Sequence, residues 1–205
     1  MHLSVIIPAY NEAKRISRTL ISIRDYLSRQ SYDWEVFIVN DGSTDNTVEV
    51  VRNFASENRS FKIIDNKENH GKGYVVRQGM LEAKGDFRFF TDADNSTSID
   101  HLEKFWPHFS KGYDIVIASI AIKGATRAHS EKFYKRWFGK FGNLWIQLWL
   151  LPGIWDTRRG FKVFTKKAAE DVFSKVREQG WIFDDEVLAL ARKLKYKIKE
   201  VPIHW

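Results

Sequence analysis

This 205-residue chain is expected to fold as an α/β domain, a mostly parallel sheet flanked by helices. Three features lead there: short apolar runs alternate with amphipathic helical stretches, the length suits one domain over residues 1–205, and polar clusters follow directly on the apolar runs. Strand and helix alternating at this interval imply right-handed βαβ units, and such sheets bind ligands beyond the carboxyl ends of their strands.

Residues 3–7 read as a buried strand, and Ile16, Leu20, Ile23 and Leu27 then fall on one helix face. Residues 34–39 give a second strand, followed by the turn Asp41-Gly42-Ser43 and a helix carrying Val48, Val51 and Ala55. Residues 61–64 form a third strand, 73–83 a helix, and 87–91 a Phe-rich fourth strand that stops at Asp92-Ala93-Asp94. Residues 101–109 are expected to be helical with Leu102, Phe105 and Phe109 inward, and 114–119 to be a fifth strand. Beyond a basic and Trp-rich stretch, 160–165 reads as a strand, 166–178 and 184–193 as helices, and 197–201 as a last strand. The chain ends at Trp205 straight after that strand, which suggests a trimmed domain.

Composition narrows the chemistry. No cysteine is present, which excludes disulfides, thiolate catalysis, iron–sulfur clusters and cysteine-ligated zinc. The six His are scattered and make no His-rich metal site. Lys and Arg number 33 against 26 Asp and Glu, a net +7 that favours anionic partners. No apolar run reaches the roughly 18 residues that span a bilayer, and the N-terminal run is too short for a signal peptide.

The candidate site residues sit after the strands. Alternation aims Asp92 and Asp94 to one side, and two carboxylates so close call for a cation or a shared proton. A hard cation, Mg²⁺ or Mn²⁺, suits all-oxygen ligands. The alternative is a solvated turn in which Asp94 or Ser96 caps the next helix. Gly42 with Ser43 or Thr44 suits a turn and helix cap, whereas Asp41 stands at a strand tip where a ring or ribose would arrive. Glu12 either meets a ligand or favours a helix N-terminus. Asn69-His70-Gly71-Lys72-Gly73 lacks the Walker A spacing, and no GxGxxG follows the first strand, so a P-loop NTPase and an NAD-dependent dehydrogenase are set aside. The Gly-Lys-Gly remains a reasonable anion site at a helix N-terminus.

Together these pieces resemble the GT-A family 2 glycosyltransferases: Val5-Ile6-Ile7-Pro8-Ala9-Tyr10-Asn11-Glu12, Val39-Asn40-Asp41-Gly42-Ser43-Thr44-Asp45, Asn69-His70-Gly71-Lys72-Gly73 and Asp92-Ala93-Asp94, in that order. Within the family the chain is most similar to the polyprenyl-phosphate branch, the dolichyl-phosphate glucosyltransferases and mannosyltransferases, through Arg77-Gln78-Gly79-Met80-Leu81, Asp156-Thr157 and residues 160–165. The resemblance implies a GT-A fold whose 1–119 half binds a nucleotide-sugar and whose 120–205 half faces the acceptor. It implies that Pro8, Ala9, Tyr10, Glu12 and Asp41 hold base and ribose, and that Lys72 and Arg77 add to that site. Asp92 and Asp94 would serve the sugar-nucleotide, with Asp94 and Asn95 on the metal. Relatives often carry Gly-Ser-Arg where this chain has Ala118-Ser119-Ile120, so that cation is missing here unless Arg127 replaces it.

The implied reaction is inverting transfer of a hexose from a nucleotide-sugar, UDP-glucose ahead of GDP-mannose, to a polyprenyl or dolichyl phosphate. A phosphate monoester is already largely dianionic at pH 7 and needs no general base. Arg158 and Arg159, with Arg127, are then candidate phosphate clamps. The competing reading is transfer to a saccharide hydroxyl with a base at Asp184-Asp185-Glu186. Residues 128–150 are expected to form an amphipathic helix with Phe133, Trp137, Phe141, Leu144 and Leu148 on one stripe beside Lys132, Lys135, Arg136 and Lys140. That composition suits an interfacial helix, with a buried core helix as the alternative. The domain is expected in the cytoplasm, peripheral on a membrane surface, and without a nucleic-acid partner, since its cations cluster around an apolar helix while acids fill the sheet mouth.

Overall fold

The computed structural model describes residues 2–126 and 151–204. Arg127, the expected helix near 128–150 and Trp205 lie outside the described residues.

Seven strands form one sheet in the order β3-β2-β1-β4-β6-β5-β7. They are β1 (His2–Ala9), β2 (Asp33–Asp41), β3 (Phe61–Asn66), β4 (Phe87–Thr91), β5 (Ile115–Ser119), β6 (Phe161–Thr165) and β7 (Ile198–Pro202). Helices α1 (Ile16–Leu27), α2 (Thr47–Glu57) and α3 (Lys72–Glu82) alternate with the first four strands. The short α4 (Trp106–Phe109) precedes β5, while α5 (Lys166–Phe173) and α6 (Phe183–Lys193) separate β6 from β7. Strand direction is parallel except at β6, which runs antiparallel to both β4 and β5. Strand order turns outward from β1 in both directions, so the crevice between the tips of β1 and β4 is the topological switch point.

Alternation along each strand splits the core into two layers. Val5, Ile7, Val36, Ile38 and Phe89 pack with α1 on one face, and Ile6, Phe37, Val39 and Phe90 pack with α3, α5 and α6 on the other. Ile16, Leu20, Ile23 and Leu27 are all buried, as their spacing predicts.

Two predicted helices come out differently. Residues 101–109 split into a 3₁₀ helix, Ile99–Lys104, and α4, because Pro107 lacks the N–H that a continuous helix needs. Leu102 and Phe105 still point inward. The helix expected over 166–178 stops at Phe173, and the chain beyond it is held by other bonds. Glu186 accepts the backbone N–H groups of Arg177 at 3.0 Å and Glu178 at 2.8 Å. The carbonyl of Gln179 accepts from Gly73 N at 2.7 Å and Tyr74 N at 3.3 Å, at the start of α3. Gly71 and Gly73 therefore serve close approach: a Cβ on either would lie 2.5 Å from a backbone oxygen of Gln179 or Glu178.

A buried ion pair ties β6 to α6. Lys162 Nζ donates to Asp184 Oδ1 at 2.6 Å, with side chains 0% and 4% exposed. Burial pushes the Asp184 carboxyl above its ordinary range, against the pull of Lys162. Removing one partner strands a buried charge. Lys162→Met is expected to lower stability by about 3–5 kcal/mol in urea unfolding, and adding Asp184→Leu to recover most of the loss. Gly73→Ala is expected to cost about 2 kcal/mol by forcing residues 178–179 off α3, read as a fall in Tm of several degrees.

Candidate active site

A cavity of about 520 Å³ opens at the carboxyl edge of the sheet, over the switch point. Pro8, Ala9, Tyr10 and Glu12 come to it from the end of β1, Asp41 from β2, Lys72 from the start of α3, and Asp92 and Asp94 from the turn after β4. Arg15, Asn69, Val75 and Trp181 complete much of the wall.

Local bonding explains how each group is held. The loops after β1 and β2 are knitted together by Asn11, whose Oδ1 accepts Thr44 N at 2.8 Å while its own N–H donates to Ser43 Oγ at 3.0 Å. Ser43 and Thr44 thus brace Asn11 and cap no helix; the N-cap of α2 is Asn46. Asp41 is buried, and its two carboxylate oxygens accept His70 N at 2.8 Å and Gly71 N at 3.0 Å. That fixes the 69–71 loop against the tip of β2, and each oxygen keeps a second lone pair for a ligand donor. Glu12 is gripped by Arg15 through both guanidinium arms, at 2.8 and 2.7 Å.

The paired aspartates part company in the structure. Asp92 meets Lys72 Nζ at 2.6 Å, and its backbone N–H donates to the Gly160 carbonyl at 3.2 Å. A Cβ at position 160 would lie 2.2–2.3 Å from that carboxylate, so only glycine leaves it room. Asp94 is exposed; its Oδ1 accepts Ser96 N at 2.9 Å in a local turn, and Asn95 beside it has φ 54°, a conformation Asn tolerates. The first residue of the 3₁₀ helix is preceded by Ser98, so neither Asp94 nor Ser96 acts as its cap. Thr19 Oγ1 donates to Ala93 O at 2.6 Å and pins the whole turn to α1.

Among the described residues no cluster of three or more His, Cys, Asp or Glu converges on a metal position. Asp92 already faces Lys72, which leaves Asp94 as the exposed carboxylate of the pair. Such a donor set fits a hard cation only when a diphosphate supplies further oxygens, the usual Mg²⁺ arrangement.

Several expected site residues go elsewhere. Arg77 lies one and a half turns into α3, where its Nε donates to the Phe173 carbonyl at the end of α5 at 2.9 Å; the structure does not bring it to the cavity. The start of α3 is not an open anion site either, since Gln179 O occupies the N–H groups of Gly73 and Tyr74. Arg158 donates to Asp185 Oδ2 at 3.3 and 3.2 Å and Arg159 to Asp156 Oδ2 at 3.4 Å, just before Gly160. Neither arginine is part of the cavity wall. The acidic run at α6 is engaged as well: Asp184 with Lys162, Asp185 with Arg158, Glu186 with backbone N–H groups. Asp185 Oδ1 is buried without a hydrogen-bond partner among the described residues. Arg15 had a signal in its spacing three residues after Glu12; Trp181, in the short connection between the two helices expected over 166–178 and 184–193, had none.

The profile of Glycosyl transferase family 2 matches residues 4–173. A Trichomonas vaginalis protein named dolichyl-phosphate beta-glucosyltransferase ALG5C is 33% identical over 216 aligned residues, covering 100% of this chain and 64% of the relative. The dolichyl-phosphate beta-glucosyltransferase of Saccharomyces cerevisiae is 36% identical, covering 99% of this chain and 66% of the relative. The chain thus spans just under two thirds of the length of these curated relatives. Glucosyl-3-phosphoglycerate synthase of Mycobacterium tuberculosis, solved with Mn²⁺, UDP-glucose and phosphoglyceric acid, superposes with TM-score 0.72 at 18% identity, over 99% of this chain and 70% of that one. That likeness is one of fold. With the profile spanning most of its length and relatives this similar, the chain belongs to glycosyl transferase family 2.

Proposed function

We infer that the protein is an inverting hexosyltransferase that moves glucose from UDP-glucose to a dolichyl or other polyprenyl phosphate. The observation that carries this reading is the convergence of Pro8, Asp41, Lys72, Asp92 and Asp94, drawn from four separate sequence motifs, on one cavity at the switch point. The names of the relatives support the lipid-phosphate acceptor and the sugar.

In this reading Pro8, Ala9, Tyr10, Glu12 and Asp41 receive base and ribose. Lys72 stands at the diphosphate end, where its charge is neutralised by Asp92 until the donor arrives. Asp94, with Asn95, would hold a divalent cation, Mg²⁺ or Mn²⁺, which supplies positive charge against the diphosphate when bound. An oxygen of the acceptor phosphate attacks the anomeric carbon from the face opposite the leaving group. The sugar–phosphate bond breaks, its electron pair leaves with the nucleoside diphosphate, and configuration inverts. Cations fixed beside the departing oxygens favour this step. No proton has to be removed from a phosphate dianion, which suits a site whose acidic run at α6 is largely engaged in other bonds.

Arg158 is the exposed candidate for the acceptor phosphate, its side chain 61% exposed and its guanidinium held by Asp185. Arg159 follows it on the loop that reaches Asp92 through Gly160. The same reading seats the domain at a membrane surface, where its acceptor resides; among the described residues no helix is long and apolar enough to cross a bilayer.

Calorimetric titration of UDP, GDP, UDP-glucose and GDP-mannose, each with and without Mn²⁺, tests the donor assignment. Uridine ligands are expected to bind and to tighten with Mn²⁺; preference for GDP-mannose would replace the donor. Asp94→Ala is expected to remove the Mn²⁺-dependent gain in UDP affinity while leaving Tm unchanged, and a retained gain removes Asp94 from the site. Arg158→Ala combined with Arg159→Ala is expected to raise KM for the lipid phosphate roughly 10- to 100-fold, the loss of one or two charge-assisted hydrogen bonds, with little change in KM for the donor. The opposite pattern would displace the clamp.

A further inference from the structure

Trp181 and Ile182 are 77% and 60% exposed, the two most exposed large apolar side chains among the described residues, and they are adjacent. Their exposure is built in. The loop that carries them is fastened on one side by Gln179 O at the N–H groups of Gly73 and Tyr74, and on the other by Glu186 at the N–H groups of Arg177 and Glu178. Glu178 Oε1 also accepts Gly180 N at 2.9 Å, which steadies the approach to Trp181.

The place matters as much as the exposure. Trp181 forms part of the cavity wall at the end that holds Lys72 and Asp92, and Lys72 Nζ lies 5.3 Å from the centre of its ring. The backbone of Ile182 accepts Asp185 N at 3.0 Å, and Asp185 in turn orients Arg158. Trp181 thus borders the cation inside the cavity, and Ile182 opens the helical turn whose Asp185 holds a second cation, Arg158. A ligand that matches this pattern is an amphiphile with an anionic head and an apolar chain: the head is drawn to the cations and the chain covers indole and isoleucine.

We propose that Trp181 and Ile182 form the contact for the first isoprenoid segment of the acceptor, holding the lipid phosphate beside the sugar to be transferred. This rests on the transferase reading above. The pair selects for a hydrocarbon chain on the phosphate, and covering Trp181 and Ile182 stabilises the complex by the apolar area removed from water.

The test uses the whole protein labelled with fluorotryptophan, the Trp181 resonance being identified by its loss in Trp181→Phe. Farnesyl phosphate is expected to move that resonance; inorganic phosphate, methyl phosphate and phosphatidylcholine vesicles without acceptor are not. Ile182→Ser is expected to weaken farnesyl phosphate binding about tenfold, the scale of one partly buried aliphatic side chain, and to leave methyl phosphate binding unchanged. An unmoved resonance with farnesyl phosphate overturns the contact, as does an equal shift with inorganic phosphate. An equal shift with empty vesicles reassigns the pair to the bilayer and also overturns it. Glucosyl transfer measured on the same samples separates the two readings: a shift without transfer overturns the reaction and keeps the contact, whereas transfer without a shift overturns only the contact.

Discussion

A carboxylate placed at the mouth of an apolar sheet must be answered by a cation or by N–H groups, and that requirement shapes the carboxyl edge of this molecule. Lys162 and Asp184 meet it in the interior, where neither side chain reaches water. Because Lys162 sits on β6 and Asp184 opens α6, their pairing fixes the strand that flanks β4 and the helix that closes the sheet's second face. Asp92 meets the same requirement through Lys72, and the two pairs are near enough for Asp184 to feel both Lys72 and Asp92. The cavity therefore begins where the buried electrostatic core ends.

This arrangement makes Lys72 a ready counter-charge. Its ammonium is held by Asp92 and faced by the Trp181 ring, so under the proposed function an incoming diphosphate would meet a cation that is already positioned. The loop over residues 174–182 does the positioning. By placing its carbonyl on the first N–H groups of α3, Gln179 takes the helix end that a phosphate would otherwise favour and leaves the side chain of Lys72 as the charged group at that point. Gly71 and Gly73 are required for that closeness.

The sheet and its first four βα units were legible because hydrophobic period and strand-end polarity agree, as at Ile16, Leu20, Ile23 and Leu27. Glu12, Asp41, Asp92 and Asp94 were legible because ligand sites follow strand tips, Lys72 through its glycine-flanked loop, and Pro8, Ala9 and Tyr10 through the family resemblance; all line the cavity. What periodicity could not carry was tertiary: the antiparallel direction of β6, the early end of α5, and Trp181 at the mouth. Arg77 misled because its place in a motif says nothing of which way a helical side chain turns, and here it turns to the end of α5. Gly160 read as the start of a strand, whereas its lack of a side chain makes room for Asp92.

The most direct measurement is the product of the complete reaction. The protein is incubated with UDP-glucose, Mn²⁺ and a polyprenyl phosphate, and the lipid product is isolated and its anomeric configuration read by NMR. A β-linked glucosyl phosphate, formed with release of UDP, is the predicted result. Transfer only to saccharide hydroxyls, or a product that retains the donor's configuration, would contradict it.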